Sequence, residues 1–296
     1  MKVLITGGRG QVANALLQTL PEGWQCVAPD HEKLDISNAK SVAAYVAMEK
    51  PDLVINCAAY TAVDFAEQDA QQCYAVNRDG AAIIAEMTAG ADVPLIHLST
   101  DYVFNGRKAA PYTEDDLPAP LSVYGKSKLA GELVVMAMNP RHIILRTSWV
   151  FSAEGHNFVR TMLRLGRAQL AGDGNALKIV TDQIGGPTPA KDLAMAIWTI
   201  AVRIAIENNQ WGIYHYSGTP CVSWFEFALQ IFSVAKLQGL LPAIPLLRPV
   251  SSAEFGADAA RPRNSCLNNS KIHNTFLLQP SDWRKALRDM LKACKN

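Results

Sequence analysis

The sequence predicts an α/β protein built on a doubly wound parallel sheet. In the first half of the chain, short β-type runs alternate with helical segments, which is the pattern of consecutive β-α-β units. The β-type runs are almost continuously apolar, as expected for strands that helices cover on both faces of a sheet. A glycine-rich turn follows the first of these strands. The expected architecture is therefore Rossmann-like, with a smaller discontinuous lobe formed by later segments.

The elements follow a regular order up to about residue 151 and a looser one after it. The predicted strands are "KVLIT", "QCVAP", "DLVINCA", "VPLIHLS", "RHIILRTSWVF", "LKIV" and "GIYHYS". The predicted helices start at about Gln11 and then run near Ala39 to Lys50, near Cys73 to Ala89, through "SVYGKSKLAGE" and near Leu193 to Ile206. Proline and glycine cluster in "GGPTPA" and "LLPAIPLLRP", which indicates loops and short elements in these stretches.

This order of elements predicts two domains. Residues 1–148 are expected to form a nucleotide-binding domain, which later segments near 177–216 join. Residues 149–176 and 217–296 are expected to form a discontinuous second lobe that binds the substrate. In such proteins the ligand lies between the two units, beyond the carboxyl ends of the parallel strands.

Composition limits the classes of partner. Of 296 residues, 49% are hydrophobic, and 28 basic against 27 acidic residues leave a formal net charge of +1. This balance excludes a general nucleic-acid or anionic-membrane surface and favours a small-molecule partner. The opening run "MKVLITGG" reaches its glycines too soon for a secretory signal or a membrane span, so we expect a cytoplasmic protein.

The cysteines indicate neither a disulfide framework nor a zinc site. They form no Cys-x-x-Cys pair, and most lie in apolar runs like ordinary core residues. The six cysteines are Cys26, Cys57, Cys73, Cys221, Cys266 and Cys294. We therefore expect no metal centre.

A glycine-rich turn links the first strand to the first helix. Gly7, Gly10 and Ala13 have the spacing G-x-x-G-x-x-A. Glycines at such a turn allow the backbone to approach a pyrophosphate, which the free N–H groups of the helix amino terminus can bind. The motif alone is weak evidence, but its place between a strand and a helix favours a dinucleotide cofactor.

About twenty residues later, Asp30 lies at the expected end of the second strand, where a carboxylate accepts hydrogen bonds from the adenosine ribose. Arg9 and His31 could instead neutralise a 2′-phosphate, although Arg9 is also compatible with an exposed loop charge. The choice between NADPH and NADH stays open. Ala58 and Ala59, at the end of the third strand, suit a flat cofactor and close helix packing equally well.

The stretch "SVYGKSKLAGE" contains a tyrosine and two lysines. Four residues of helix subtend about 400°, so Lys128 lies on the same face as Tyr124, whereas Lys126 points away. A phenol with a pKa near 10 exchanges protons poorly at neutral pH unless a positive charge stabilises its anion. Lys128 can supply that charge. Upstream, the strand in "HLSTDYVFNG" ends at Thr100, which suits either a turn or a hydroxyl facing the same crevice.

Together these motifs resemble the extended short-chain dehydrogenase/reductase family, and within it the enzymes that reduce nucleotide-linked keto sugars. The resemblance covers nearly the whole chain. Its most specific parts are "STDYVF" and "RTSWV", because Tyr-x-x-x-Lys occurs throughout the wider family. The runs that carry it are "GGRGQVA", "NCAAYTAVDFAE", "STDYVFNG", "YGKSKLAGE", "RTSWVF", "NFVRTML" and "ARPRNS".

The resemblance implies a role for each of several residues. Tyr124 would donate the proton, Lys128 would bind the nicotinamide ribose and lower the pKa of the tyrosine, and Thr100 would hydrogen-bond the reacting carbonyl. The implied cofactor residues are Gly7, Gly10, Gln11, Val12, Asp30, Asp35, Ile36, Ala59, Tyr60, Thr61, Tyr124 and Lys128. The implied substrate residues are Thr100, Asp101, Trp149 and Arg261. Arg261 suits a nucleotide diphosphate, although a surface arginine is the alternative.

The resemblance also implies a reaction. Dehydratases of the family carry an acidic pair directly after the threonine, whereas here Tyr102 follows Asp101, which favours simple carbonyl reduction. We therefore expect NADPH or NADH to reduce the 4-keto group of dTDP-6-deoxy-L-lyxo-4-hexulose to dTDP-L-rhamnose, a precursor of lipopolysaccharide. The alternatives are a reductase that forms the 4-epimer, dTDP-6-deoxy-L-talose, and a catalytically silent NADP-binding regulatory subunit.

Some bacterial members of the family are said to dimerise around magnesium held by glutamates. Two of those glutamates would align with Ala15 and Lys191, and neither residue coordinates a metal as a carboxylate does. We therefore expect a monomer or a weak homodimer without structural magnesium.

Overall fold

A computed structural model describes residues 1–207 and 209–293. Its elements in chain order are β1 Lys2–Thr6, α1 Gln11–Gln18, β2 Gln25–Val27, α2 Ala39–Glu49, β3 Leu53–Asn56, α3 Ala70–Tyr74, α4 Ala81–Gly90, β4 Leu95–Thr100, α5 Val123–Met138, β5 His142–Thr147, β6 Val150–Phe151, α6 Phe158–Ala168, β7 Leu177–Val180, β8 Ile184–Gly185, β9 Thr188–Pro189, α7 Ala190–Glu207, β10 Gly212–His215, β11 Gly218–Thr219, β12 Val222–Ser223, α8 Trp224–Leu237, β13 Leu247–Val250, α9 Ser252–Phe255, α10 Ser270–Phe276, β14 Ser281–Asp282 and α11 Trp283–Ala293.

Six strands form one parallel sheet in the order β10-β5-β4-β3-β1-β2. All four residues of β3 are buried, because helices cover both faces of the sheet. The chain runs from β1 to β2 on one side and then returns to β3 on the other, so a crevice opens at the carboxyl ends of these strands. The predicted Rossmann-like fold is confirmed.

Two apolar clusters flank the sheet and a third lies apart from it. The long helix α7 packs against α1 beside the sheet, whereas α6, α8 and α11 enclose the separate cluster around Phe227 and Trp283. The segment near 177–216 divides between them. Its α7 packs beside the six-stranded sheet, and its β10 is a strand of that sheet. In contrast, β7 pairs with β13, and Ile179 packs in the separate cluster.

The predicted strand "RHIILRTSWVF" is interrupted in the structure. β5 ends at Thr147, and β6 leaves the sheet to pair with β9. Between them Trp149 has a φ of 47°, a left-handed conformation that a strand cannot contain. After this break the chain leaves the parallel sheet and enters the part of the protein that surrounds the separate apolar cluster. A second difference is a π-helical segment, Ala75–Gly80, between α3 and α4, where the sequence predicts one regular helix.

The structure corrects the expectation that the cysteines form no disulfide framework. Cys221 and Cys266 form a disulfide that ties the loop after β11 to the segment before α10. The thiols of Cys26, Cys57 and Cys73 are free, and Cys294 lies outside the described residues. In the part of the chain that is described, no helix combines the length and the apolar character that crossing a membrane requires.

Candidate active site

The glycine turn brings the backbone of α1 close to the end of β3. Gly7 has a φ of 70°, and a Cβ there would lie 2.9 Å from the backbone of Ala58. A Cβ on Gly8 would collide with the carbonyl oxygen of Ala28. Helix α1 then starts at Gln11, and its N-cap residue Gly10 has no side chain to cap it, so its first N–H groups are free to bind phosphate oxygens.

The residues at the end of β2 form a charged group around Arg9. The Arg9 guanidinium lies 2.8 Å from Asp30 and 3.1 Å from Glu32. Arg9 is mostly exposed, as is His31, which is 4.0 Å from Asp35. The hydroxyl of Ser37 donates to Asp35 and lowers the pKa of that carboxyl. The arginine is therefore held at the position expected for the adenosine ribose.

A cavity of about 640 Å³ runs along the carboxyl ends of the strands. The predicted cofactor residues that line it are Gly7, Gly10, Gln11, Val12, Asp35, Ile36, Ala59, Tyr60, Thr61, Tyr124 and Lys128. Asp30 is not among the lining residues, because its carboxylate faces Arg9, which lines the cavity in its place. The structure thus brings together residues that are more than one hundred positions apart in the chain.

Asn77 supports this cavity and was missed by sequence reasoning. Its side chain accepts a hydrogen bond from the backbone N–H of Tyr60 at 2.9 Å and donates to the carbonyl of Tyr60 at 3.1 Å and to the hydroxyl of Ser127 at 2.9 Å. Asn77 lies in the π-helical segment, and such segments are frequent at functional sites. The sequence gives no clear signal for this role, because Asn77 is followed directly by the charged residues Arg78 and Asp79.

Tyr124 lies in the first turn of α5, above the end of β4. Ser122 caps the helix by accepting from the backbone N–H of Gly125. Burial raises the pKa of Tyr124, and the nearby side chain of Thr100 opposes this rise. The ring of Tyr102 meets that of Tyr124 edge to face at 5.9 Å. Thr100, although not part of the cavity lining, therefore lies close to the tyrosine.

The two lysines of α5 lie on opposite faces, as the helix geometry predicts. Lys126 is exposed, whereas Lys128 is buried and donates to the carbonyl oxygen of Leu98 at 2.6 Å. Burial lowers the pKa of Lys128 to about 8, and the carboxylate of Glu132 opposes this shift. Lys128 is therefore mostly charged at neutral pH and faces the cavity.

Asp101 follows Thr100 directly and is almost completely buried. Burial raises its pKa to about 7, although the nearby Ser265 and the hydroxyl of Thr100, which donates to its carboxyl, both oppose this rise. Its Oδ2 atom has no hydrogen-bond partner among the described residues. A buried, unpaired oxygen of this kind calls for a donor, which a sugar hydroxyl would supply.

A second cavity of about 610 Å³ has Arg261, Phe158 and Trp224 among its lining residues. Arg261 donates to the carboxylate of Asp64 at 2.6 Å, and its charge opposes the rise that burial causes in the pKa of Tyr102. The side chain of Arg261 is only 19% exposed, so it is not an ordinary surface arginine.

Trp149 reaches this second cavity through its neighbour. Its ring stacks on that of Trp224 with the ring centroids 3.4 Å apart and the planes within 5°. Gly185 makes room for the stack, because a Cβ there would lie 2.5 Å from the Trp149 ring. The predicted substrate residues therefore lie in two places. Thr100 and Asp101 lie at the end of β4, whereas Trp149 and Arg261 lie at the aromatic cavity.

Thr147 is a further residue that sequence reasoning missed. It ends β5 directly beside Thr100 in the register of the sheet, it lines the cofactor cavity, and its hydroxyl has no partner among the described residues. The signal was present in "RTSWVF", where a threonine ends a strand that neighbours β4.

The fold and this site define a Rossmann-type oxidoreductase that uses a nicotinamide dinucleotide. The family model of the RmlD substrate binding domain matches residues 1–296. The chain belongs to this family, and the resemblance to reductases that act on nucleotide-linked keto sugars is confirmed.

Three named relatives match this chain over nearly the full length of both sequences. The chain is 43% identical to the dTDP-4-dehydrorhamnose reductase of Aggregatibacter actinomycetemcomitans over 292 residues, 98% of each chain. The crystal structure of a dTDP-4-dehydrorhamnose reductase from Clostridium acetobutylicum matches with a TM-score of 0.90 and 34% identity, over 100% of both chains. That of the Bacillus anthracis dTDP-4-dehydrorhamnose reductase, solved in complex with NADP, matches with a TM-score of 0.87 and 38% identity, over 98% of both chains.

Proposed function

We propose that this protein reduces the 4-keto group of dTDP-4-dehydro-L-rhamnose to give dTDP-L-rhamnose, using NADPH or NADH. The observation that carries the proposal is the group formed by Tyr124, Thr100 and the buried Lys128 at the carboxyl end of β4. Tyr124 and Lys128 line the nucleotide cavity, and the ring of Tyr102 contacts that of Tyr124. The names and lengths of the relatives support the same activity.

The residues fit a dinucleotide on structural grounds. Side chains are missing where the phosphates must approach, because any Cβ on Gly7 or Gly8 would strike the backbone. The uncapped amino terminus of α1 offers N–H donors. When bound, the reduced nicotinamide supplies the hydride. Arg9, held by Asp30 and Glu32, would meet the adenosine ribose or its 2′-phosphate.

The remaining chemistry needs one proton and one polarised carbonyl. Tyr124 donates its phenolic proton to the carbonyl oxygen as that oxygen becomes an alkoxide, while the hydroxyl of Thr100 hydrogen-bonds the same oxygen. Burial holds the pKa of Tyr124 above its usual value, so the residue is protonated before the reaction. The ammonium of Lys128 stabilises the phenolate that remains.

The nucleotide sugar would span the corner of β4 and the second cavity. Arg261 is suited to the diphosphate, because its planar guanidinium offers paired donors to phosphate oxygens. The unpaired Oδ2 of Asp101 would accept from a sugar hydroxyl. Trp149, stacked on Trp224, would form an apolar wall against the sugar ring.

The deciding experiment is product analysis after incubation with dTDP-4-dehydro-L-rhamnose and each reduced cofactor. We expect oxidation of NADPH or NADH together with dTDP-L-rhamnose, identified by NMR of the sugar. Tyr124→Phe should lower kcat by about 10²- to 10⁴-fold, because it removes the proton donor. Formation of the talose epimer would overturn the stereochemical part of the proposal. Cofactor binding without turnover would instead support the regulatory-subunit alternative.

We also propose that the protein acts in the cytoplasm as a monomer or weak homodimer without structural magnesium. Ala15 is buried in α1 and Lys191 is exposed on α7, so neither position offers a carboxylate. Light scattering with and without magnesium should give the same mass. A dimer that appears only with magnesium would contradict this proposal.

A further inference from the structure

Behind the active site lies a buried ionic cluster that takes no direct part in the proposed hydride and proton transfers. Glu132 lies one helical turn after Lys128 on α5, and its side chain is completely buried. Arg146 of β5 donates to both of its oxygens, from Nε at 2.9 Å and from Nη2 at 2.6 Å. The hydroxyl of Ser99 also donates to Glu132. One carboxylate thus ties α5 to both β4 and β5.

These contacts attach α5 to three consecutive residues of β4. Lys128 donates to the carbonyl of Leu98, Ser99 donates to Glu132, and the side chain of Thr100 interacts with Tyr124. A shift of α5 along β4 would break all three contacts at once. The relative position of the proton donor and the carbonyl-binding hydroxyl therefore depends on the same set of bonds.

We propose that Glu132 is a positioning residue for this reductase: it holds α5 against the end of β4, and its carboxylate keeps the buried ammonium of Lys128 charged. The proposal rests on the roles proposed above for Tyr124 and Lys128. It assigns a function to the glutamate of "YGKSKLAGE" that an ordinary structural ion pair would not have.

Among the described groups around Lys128, Glu132 is the one that can keep its ammonium charged. The described groups that interact electrostatically with Lys128 come from four elements: Glu132 from α5, Cys57 after β3, Cys73 from α3 and His97 from β4. Burial raises the pKa of both thiols and lowers that of His97, so these three are neutral near pH 7. Glu132 supplies the negative charge that opposes the burial of Lys128.

Arg146 is the second cation on the same carboxylate. It is buried, with the ring of Phe104 at 5.2 Å and His215 at 3.4 Å. Burial and the nearby arginine lower the pKa of His215 to about 3, so His215 is neutral. The half-buried Glu114 is a further carboxyl that interacts with Arg146. Loss of the Glu132 charge would leave two cations in the interior without their shared anion, which is unfavourable for both.

The test compares pH profiles of kcat for the wild type and three variants. Glu132→Gln removes the charge but keeps the shape, so the pKa of Lys128 falls and the ammonium is lost at lower pH. We expect the alkaline limb to move down by about one pH unit. Glu132→Asp keeps the charge and should leave the limb at its wild-type pH even if kcat falls. The exposed Glu86→Gln on α4 is the matched control and should change nothing.

A fourth variant covers the case in which Glu132→Gln does not fold because Arg146 is left unpaired. The double variant Glu132→Leu, Arg146→Met replaces the whole pair by apolar side chains, a change that folded proteins often tolerate. It should fold and show the same downward shift of the alkaline limb. A folded variant without the carboxylate that keeps the wild-type limb would overturn the proposal.

Failure of the proposed function would look different. In that case the wild-type chain would bind NADPH without reducing the keto sugar. The pH dependence of NADPH affinity in the same variants would then test the charge effect on Lys128 directly. An unchanged pH dependence in both Glu132→Gln and the double variant would refute the role of Glu132 independently of turnover.

Discussion

The cofactor cleft and the substrate cavity are built in different ways. The cleft is formed by short segments at the ends of parallel strands, and it uses backbone groups and small residues such as Gly7, Gly8 and Ala58. The substrate cavity is formed by side chains from separate elements, among them Phe158, Trp224 and Arg261. Backbone geometry determines the first site, whereas the packing of distant segments determines the second.

This difference predicts different responses to mutation. In the cleft, a single added methyl group meets backbone that cannot move without disturbing the sheet. In the cavity, the critical contact is a long-range ion pair, since Asp64 and Arg261 are 197 residues apart in sequence. A change there should alter substrate affinity while the Rossmann unit stays intact.

The largest effect is expected in the cleft. Gly8→Ala would place a methyl group against the carbonyl oxygen of Ala28 and so push apart β2 and the glycine turn. We expect NADPH binding to weaken by about 100-fold or more, from an overpacking cost of about 3 kcal/mol. Isothermal titration measures this loss. Gly90→Ala, which meets no atom within 4 Å, is the control; equal losses in both variants would contradict the explanation.

The next effect belongs to the substrate cavity. Arg261→Met should raise KM for the nucleotide sugar by about 10- to 100-fold, because a charge-assisted hydrogen bond to phosphate contributes about 1.5–3 kcal/mol. The affinity for NADPH should stay at the wild-type value, since Arg261 does not line that cavity. Arg263→Met, at an exposed position two residues away, is the control. An unchanged KM in Arg261→Met would show that the diphosphate binds elsewhere.

A smaller effect should reveal the cofactor preference. Arg9→Ala removes the cation that faces the adenosine end of the cleft, so KM for NADPH should rise by about tenfold while KM for NADH changes little. Initial rates with the two cofactors give the ratio. Equal changes for both would mean that Arg9 only balances the charges of Asp30 and Glu32.

The smallest effect is expected at Lys126. Lys126→Ala should leave kcat and KM within about twofold of the wild type, because changes on an exposed helix face away from any partner cost little. Lys128→Ala, two residues away, should abolish most of the activity. Comparable losses in the two variants would contradict the assignment of opposite faces.

Several features of the site were predictable because they depend on short-range geometry. Helix periodicity alone separates Lys128 from Lys126, and the structure places them on the buried and exposed faces of α5. Strand order predicts that β4 ends with Thr100 near Tyr124, and in the structure Thr100 lies close enough to affect the pKa of the tyrosine. Local rules of this kind need no knowledge of the rest of the chain.

Other features were not predictable because their partners are distant in sequence. The partners of Asn77 and Glu132 come from other elements of the fold. The Cys221–Cys266 disulfide joins segments 45 residues apart, and cysteine spacing alone cannot identify such a pair. The left-handed turn at Trp149 also interrupts a run of residues that otherwise favours a strand.

The amino-acid sequence by itself determined the Rossmann-like sheet, the glycine turn and the Tyr124–Lys128 face, because each follows from the twofold or 3.6-fold repeat of a single element and its ends. Only the tertiary structure decided which polar groups are buried and what they contact. Burial sets the charge state of Asp101 and Lys128, and long-range packing brings Arg261 to Asp64. Solvent exclusion and distance are properties of the folded chain, and the substrate side of the site depends on both.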